Sequence, residues 1–236
     1  MEQAYDTDGV RGVLHQPDNP TGEGIALTHG AGCQLPGASA AQFCGGSASP
    51  SKLGSLSMEQ AYDTDGVRGV LHQPDNPTGE GIALTHGAGA NCQAPLLVRL
   101  ARAFCDAGLV VLRYDLPFRQ QRPKGPPFPA MAERDREGVL QAVDVVRRLA
   151  PGRIFAGGHS YGGRQTAMAA AEHPKMADAL LLLSYPLHPP GKPDQLRTSY
   201  FPDLRIPALF VHGSADAFDR MTNCEKRCSS FPPLHI

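Results

Sequence analysis

No apolar run in this chain exceeds the length of a strand such as Ala179 to Leu183, whereas a membrane-spanning helix needs about 18 apolar residues. No membrane association is therefore expected. Neither sign of charge dominates, since 22 basic residues face 23 acidic ones for a formal net charge of −1, which offers nucleic acid nothing to bind by charge. The six cysteines, Cys33, Cys44, Cys92, Cys105, Cys224 and Cys228, include no C-x-x-C pair and are too sparse for a disulfide scaffold, so they read as buried or incidental thiols. Met1 to Gly9 is polar, with Glu2, Asp6 and Asp8, and has no basic start leading into an apolar stretch. No secretory signal is expected there, and the expected location is cytoplasmic. What is left, 41% apolar and 19% charged over 236 residues, is the composition of a globular domain.

The arrangement of the chain is less ordinary. Residues 1–32 recur letter for letter as residues 58–89. Two identical copies without a third do not make a solenoid, which stacks about three or more drifting units. The spacer from Cys33 to Ser57 holds six serines, four glycines, four alanines and one charge, Lys52, the composition of a flexible linker. Removing residues 1–57 leaves about 180 residues, enough for one core. Only the second copy runs on into a helical pattern, so residues 1–57 are expected to be a dispensable appendage, the product of a recent duplication or of a faulty gene model, and 58–219 the domain. From Met221 to Ile236 no period is visible; residues 220–236 read as a divergent tail, for which a shifted reading frame is one explanation.

Within the domain the pattern alternates. Gly81 to Thr85 is a short apolar run closed by a glycine-rich turn. Leu97, Leu100, Ala101 and Phe104 then mark a helix, with Asn91 as its candidate cap and Gly108 as its stop. Leu109 to Arg113 is the next strand. Five prolines between Asp115 and Pro129 argue against regular structure. Val139, Val143, Val146 and Leu149 mark a second helix. Strands at 153–156, 179–183 and 208–212 and a helix at 163–172 follow. Strands alternating with helices of this length predict an α/β fold with a parallel, helix-covered sheet.

Between the strand at 153–156 and the helix at 163–172, Gly158, Ser160 and Gly162 spell G-x-S-x-G. In that context the motif is a nucleophile elbow, a sharp turn whose glycines let strand and helix approach while the serine is lifted out. A glycine-rich turn with a capping serine is the plain alternative. The Tyr161 amide, at the helix N-terminus, would face an oxyanion. His86-Gly87-Ala88-Gly89 stands where a second oxyanion donor belongs, with Ala88 preferred, although the same glycines suit any tight turn. His86 itself reads as shaping that loop. Chain order then requires an acid and a histidine. Asp216 follows the strand at 208–212, with Asp219 as backup, and such an aspartate also serves as a turn former. His235 is the one histidine beyond the acid, and without an imidazole to take its proton the serine is a weak nucleophile. No metal constellation and no cofactor motif stands out.

The segments GGHSYGGR, THGAGAN, SYPLHPPGKP and VHGSADAF together resemble the α/β-hydrolase superfamily, in its dienelactone-hydrolase-like group. The resemblance is nearest to the branch that holds the testis-expressed α/β-hydrolase-like protein and the regulatory subunit of the NSL histone-acetyltransferase complex. It covers about residues 61–219 and implies Ser160 as nucleophile, Asp216 as acid and a histidine near the end of the domain. The expected activity is that of a serine hydrolase on an ester or thioester of a small acyl substrate, with no cofactor. The alternatives are a non-catalytic module of the same fold that binds a protein partner, and an inactive truncated copy, because the tail carries no clear histidine loop.

Overall fold

The structure is a computed structural model that describes residues 2–7, 10–15, 58–192 and 194–212. The elements are β1 (Glu2–Thr7), β2 (Val10–His15), β3 (Met58–Thr64), β4 (Val67–Gln73), β5 (Gly81–Thr85), α1 (Pro95–Asp106), β6 (Val110–Asp115), α2 (Pro117–Gln121), α3 (Ala132–Leu149), β7 (Ile154–His159), α4 (Tyr161–Glu172), β8 (Ala179–Leu183) and β9 (Ala208–Val211). Strands β3 to β9 form one sheet in the order β3-β4-β6-β5-β7-β8-β9. The first two pairings are antiparallel and the remainder parallel.

Alternation along the buried strands sends successive side chains to opposite faces. Ile82, Leu84, Val111, Leu181 and Leu183 pack with Leu97, Ala101 and Phe104 of α1. Ala83, Leu112, Tyr114, Leu180 and Leu182 pack with Val139, Val143 and Val146 of α3 and with Ala167 and Ala170 of α4. Leu97 is wholly excluded from solvent, a burial worth about 1.5–3 kcal/mol. The strand at 179–183 thus meets the two-sided burial that its unbroken apolar run predicts.

Several local expectations are corrected. Asn91 is not the cap of α1: the helix starts after Ala94, which makes no side-chain cap bond, and has a proline in its first turn. The Asn91 Oδ1 instead accepts the Gln93 amide at 2.9 Å in a local turn. The proline-rich segment after Asp115 does contain a helix, α2, because Pro117 lies in its first turn, where a missing N–H costs nothing. Leu149 ends the apolar stripe of α3 but is 41% exposed. The strand expected at 153–156 runs on through both glycines to His159, and α4 begins directly after Ser160.

The domain opens with a hairpin, β3–β4, that the helix–strand alternation does not announce and that Asp65-Gly66 turns. Both residues have positive φ, 58° and 76°, the geometry of the two-residue turn that suits the twist of a hairpin. Its seat is close. A Cβ on Gly69 would lie 2.0 Å from the Arg113 carbonyl oxygen, so β4 can pass β6 there only as glycine. The first copy forms a separate two-stranded hairpin, with Glu2 opposite His15 through to Thr7 opposite Val10. The second copy repeats that register pair for pair, Glu59 opposite His72 through to Thr64 opposite Val67.

Candidate active site

The strand order turns outward on both sides of β5, which has β6 on one side and β7 on the other. At such a switch point the connections leave in opposite directions and open a crevice at the carboxyl ends of the strands. Thr85 pairs with Gly158 across that end. The loop after β5 and the turn after β7 are therefore neighbours.

Ser160 occupies φ 51° and ψ −113°, a conformation an L-residue rarely adopts and which costs on the order of 1–3 kcal/mol. The surroundings hold it there. Its amide donates to the Leu183 carbonyl at 2.7 Å, and its carbonyl accepts the Arg164 amide at 3.0 Å. A Cβ on Gly158 would come within 2.7 Å of the Gly162 carbonyl carbon, and one on Gly162 within 2.5 Å of the His86 oxygen. The G-x-S-x-G spacing thus answers to close backbone contact on both flanks. Gly87 completes the ring, since a Cβ there would stand 3.0 Å from His159 Nδ1 and 3.5 Å from Ser160 Cβ.

The orientation of the 86–90 loop follows from its hydrogen bonds. The Leu116 amide donates to His86 Nε2 at 3.2 Å, so the proton lies on Nδ1, which donates to the Gly87 carbonyl at 2.8 Å. The Ala90 amide donates to that same carbonyl at 3.1 Å. In a trans peptide N–H and C=O point in opposite directions, so two donors fixing the Gly87 oxygen also fix the Ala88 amide, facing away from them. The carbonyls of Ala88 and Ala90 accept from Arg119, Nη2 at 2.6 Å and Nε at 2.8 Å. Among the described residues the Ala88 amide donates to no backbone carbonyl. His86 has both nitrogens engaged, and burial pushes its pKa down. It is a neutral scaffold residue that shapes the loop.

Two residues that the sequence reading did not single out hold the site from behind. Arg119 is 3% exposed, and besides the loop it donates to the carbonyls of Arg122 and Gly125 at 3.1 and 3.0 Å. Asp135 is fully buried; its Oδ1 accepts the Phe118 amide at 2.9 Å, and its Oδ2 the Tyr161 hydroxyl at 2.7 Å. Burial raises its pKa, against the lowering effect of those two donors. A signal for Asp135 was present: it lies four residues before Val139, on the apolar stripe of α3, where a carboxylate needs a reason.

Ser160, Tyr161, Ala88, Gly158 and Gly162 are thus brought together at one edge of the sheet. Asp216, its backup Asp219 and His235 lie outside the described residues. Strand β9 does end at that edge, with the Ser184 amide donating to the Val211 carbonyl at 2.7 Å, directly before the segment that carries Asp216. Among the described residues no group of three or more metal-ligating side chains occurs, and no helix is long and apolar enough to cross a membrane.

Residues 79–231 match the sequence model of a family described as an alpha/beta hydrolase domain. Solved structures share the architecture. A dienelactone hydrolase from Anabaena variabilis superposes with a TM-score of 0.57 at 22% identity, over 74% of this chain and 81% of its own. A putative dienelactone hydrolase from Klebsiella pneumoniae gives 0.55 at 18% identity, over 74% and 79%. An alpha-beta serine hydrolase homologue from Coxiella burnetii gives 0.55 at 15%, over 77% and 85%. These likenesses establish the fold. None of these matches bears on the testis-expressed or NSL branch.

Proposed function

Because this chain belongs to the alpha/beta hydrolase family, we propose that it is a serine hydrolase acting on an ester or thioester of a small acyl substrate, with Ser160 as nucleophile. The observation that carries this reading is the left-handed backbone of Ser160, at φ 51° on the turn between β7 and α4, with the Gly87 loop packed against it. Strain of this kind persists only where the surrounding structure fixes it, and here it lifts a hydroxyl to the mouth of the switch-point crevice.

In this reading Ser160 Oγ attacks the acyl carbonyl carbon, and the C=O electron pair moves onto oxygen. The Tyr161 amide, at the unpaired N-terminus of α4, and the Ala88 amide receive that negative charge. Collapse expels the alcohol or thiol and leaves an acyl-serine, which water then hydrolyses. The proton of Ser160 passes to a histidine, oriented by Asp216; His235 is the histidine that follows Asp216 in chain order. His86 is not that base, because both of its nitrogens are committed.

The test is labelling of the full chain with a fluorophosphonate probe, beside Ser160→Ala and His235→Ala. Labelling that disappears in Ser160→Ala supports the hydrolase, and its loss in His235→Ala would assign the base. A folded chain that does not label overturns this reading in favour of a non-catalytic module.

A further inference from the structure

The duplication supplies two hairpins, but the structure supplies one seat. The groups that receive β3–β4 all lie outside the repeated segment. Arg102 Nε bonds Glu59 Oε1 at 2.9 Å, and Arg113 Nε donates to His72 Nε2 at 2.8 Å. Arg68 meets Asp115 at 3.5 Å, Gln120 donates to the Gly66 carbonyl at 3.1 Å, and Arg148 bonds Asp65 at 2.6 Å. Strand β6 contributes the ladder from Arg68 opposite Asp115 to His72 opposite Val111. Val67 and Leu71 bury their side chains there, at 1% and 2% exposure.

Every residue this seat requires occurs 57 positions earlier: Glu2, Asp8, Gly9, Val10, Arg11, Gly12, Leu14 and His15. Gly12 matters most, since β6 admits only glycine at the position of Gly69. The hairpin β1–β2 already has the required register, Tyr5 opposite Gly12 as Tyr62 is opposite Gly69. In the structure β2 lies beside β9, at the opposite edge of the sheet, without joining its ladder; a two-stranded hairpin has little stability of its own, whereas the seat would bury its apolar side.

We propose that the N-terminal hairpin is a spare occupant of the β6 edge, and that it replaces β3–β4 within the same chain when the second copy is disabled. The second copy holds the seat in the intact chain because its link to β5 is residues 74–80, whereas the first copy would be linked by residues 17–80. A loop about nine times longer is disfavoured by about 30-fold. The exchange involves no new contact and no bond chemistry, only substitution of one identical hairpin for the other.

Full-length variants test it. Leu14→Asp leaves the denaturant midpoint unchanged. Leu71→Asp lowers the folding equilibrium constant by about 30-fold, the tether penalty, and Leu14→Asp with Leu71→Asp lowers it further. If Leu71→Asp alone falls as far as the double variant, the proposal is overturned. Hydrogen exchange gives a second readout, because the Leu71→Asp change makes the two copies distinguishable by mass. Protection of residues 10–15 must rise in that variant as protection of 67–72 falls, and unprotected residues 10–15 in a folded chain count against it. Finally, the Leu71→Asp chain is expected to remain a monomer in sedimentation, because the exchange takes place within one chain. A folded dimer, in which the first hairpin of one chain occupies the seat of another, overturns the proposal.

Discussion

Arg119 holds the Ala88 carbonyl at 2.6 Å, and that bond turns a proline-bounded helix into the support of the 86–90 loop. Four carbonyls converge on one guanidinium, a fork that a single ammonium cannot reproduce. The loop that presents the Ala88 amide is therefore only as rigid as Arg119.

Arg119→Lys is expected to slow fluorophosphonate labelling of Ser160 by roughly ten- to a hundredfold, the scale of a weakened oxyanion donor. It should also lower stability by about 1–3 kcal/mol, as buried carbonyls lose partners. Labelling kinetics and denaturant unfolding of the same sample separate the two effects. Unchanged labelling in a destabilised protein would remove Arg119 from the positioning of the site.

The backbone of Ser160 gives a stability prediction that needs no substrate. Ser160→Ala removes the hydroxyl but keeps the Cβ at φ 51°; Ser160→Gly removes both. The glycine variant should be the more stable of the two by about 1 kcal/mol, strain relief partly offset by glycine's entropy in the unfolded chain. Equal midpoints in urea would show that the turn is not strained.

Asp135 and Tyr161 make a pH-dependent pair. Burial raises the Asp135 pKa, so its contribution to stability is fully present below the unfolded carboxyl range of about 4 and is lost as pH rises through its folded value. Tyr161→Phe removes one of two donors and should cost about 1–3 kcal/mol, more at pH 8 than at pH 4. Asp135→Asn removes the charge and should flatten this part of the profile. Urea midpoints at the two pH values decide it; a Tyr161→Phe penalty equal at both pH values contradicts the assignment.

His72 acts in the opposite direction. Buried beside Arg113, it is held down at about 4, while the unfolded chain takes up the proton near pH 6.5. Its contribution is present above about 6.5 and is lost as pH falls toward 4, roughly 3 kcal/mol in all. His15→Gln with His72→Gln, which treats both copies alike, should weaken the acid sensitivity between those limits. A pair of variants with the wild-type slope of stability against pH would place the sensitivity elsewhere.

Much of this architecture could be read from the chain because burial writes itself as period. The run from Ala179 to Leu183 and the stripe of Val139, Val143 and Val146 announce a two-sided strand and a one-sided helix, and Ser160 stands between glycines at the one spacing a strand-to-helix elbow allows. Polar residues that face inward carry a weaker signature. Arg119 follows a proline in a segment that reads as irregular, and Asp135 shows itself only by its spacing from Val139, among the other charges at the start of α3. Arg113 reads as a strand end although β6 continues to Asp115. Their partners lie far along the chain, 41 positions away for Arg113 and His72, and most of them are backbone carbonyls or amides, which every sequence has and none displays.

The pairing of Thr85 with Gly158 also makes the serine a reporter. Its two sides, loop and elbow, hang from adjacent strands and meet only if β5 and β7 are in step. A slip of one residue would keep seven strands and their helices but turn each side chain of the slipped strand to the opposite face, carrying the loop away from the turn. Secondary-structure content would hardly register that error, whereas under the proposed function Ser160 is expected to fall silent toward the fluorophosphonate probe.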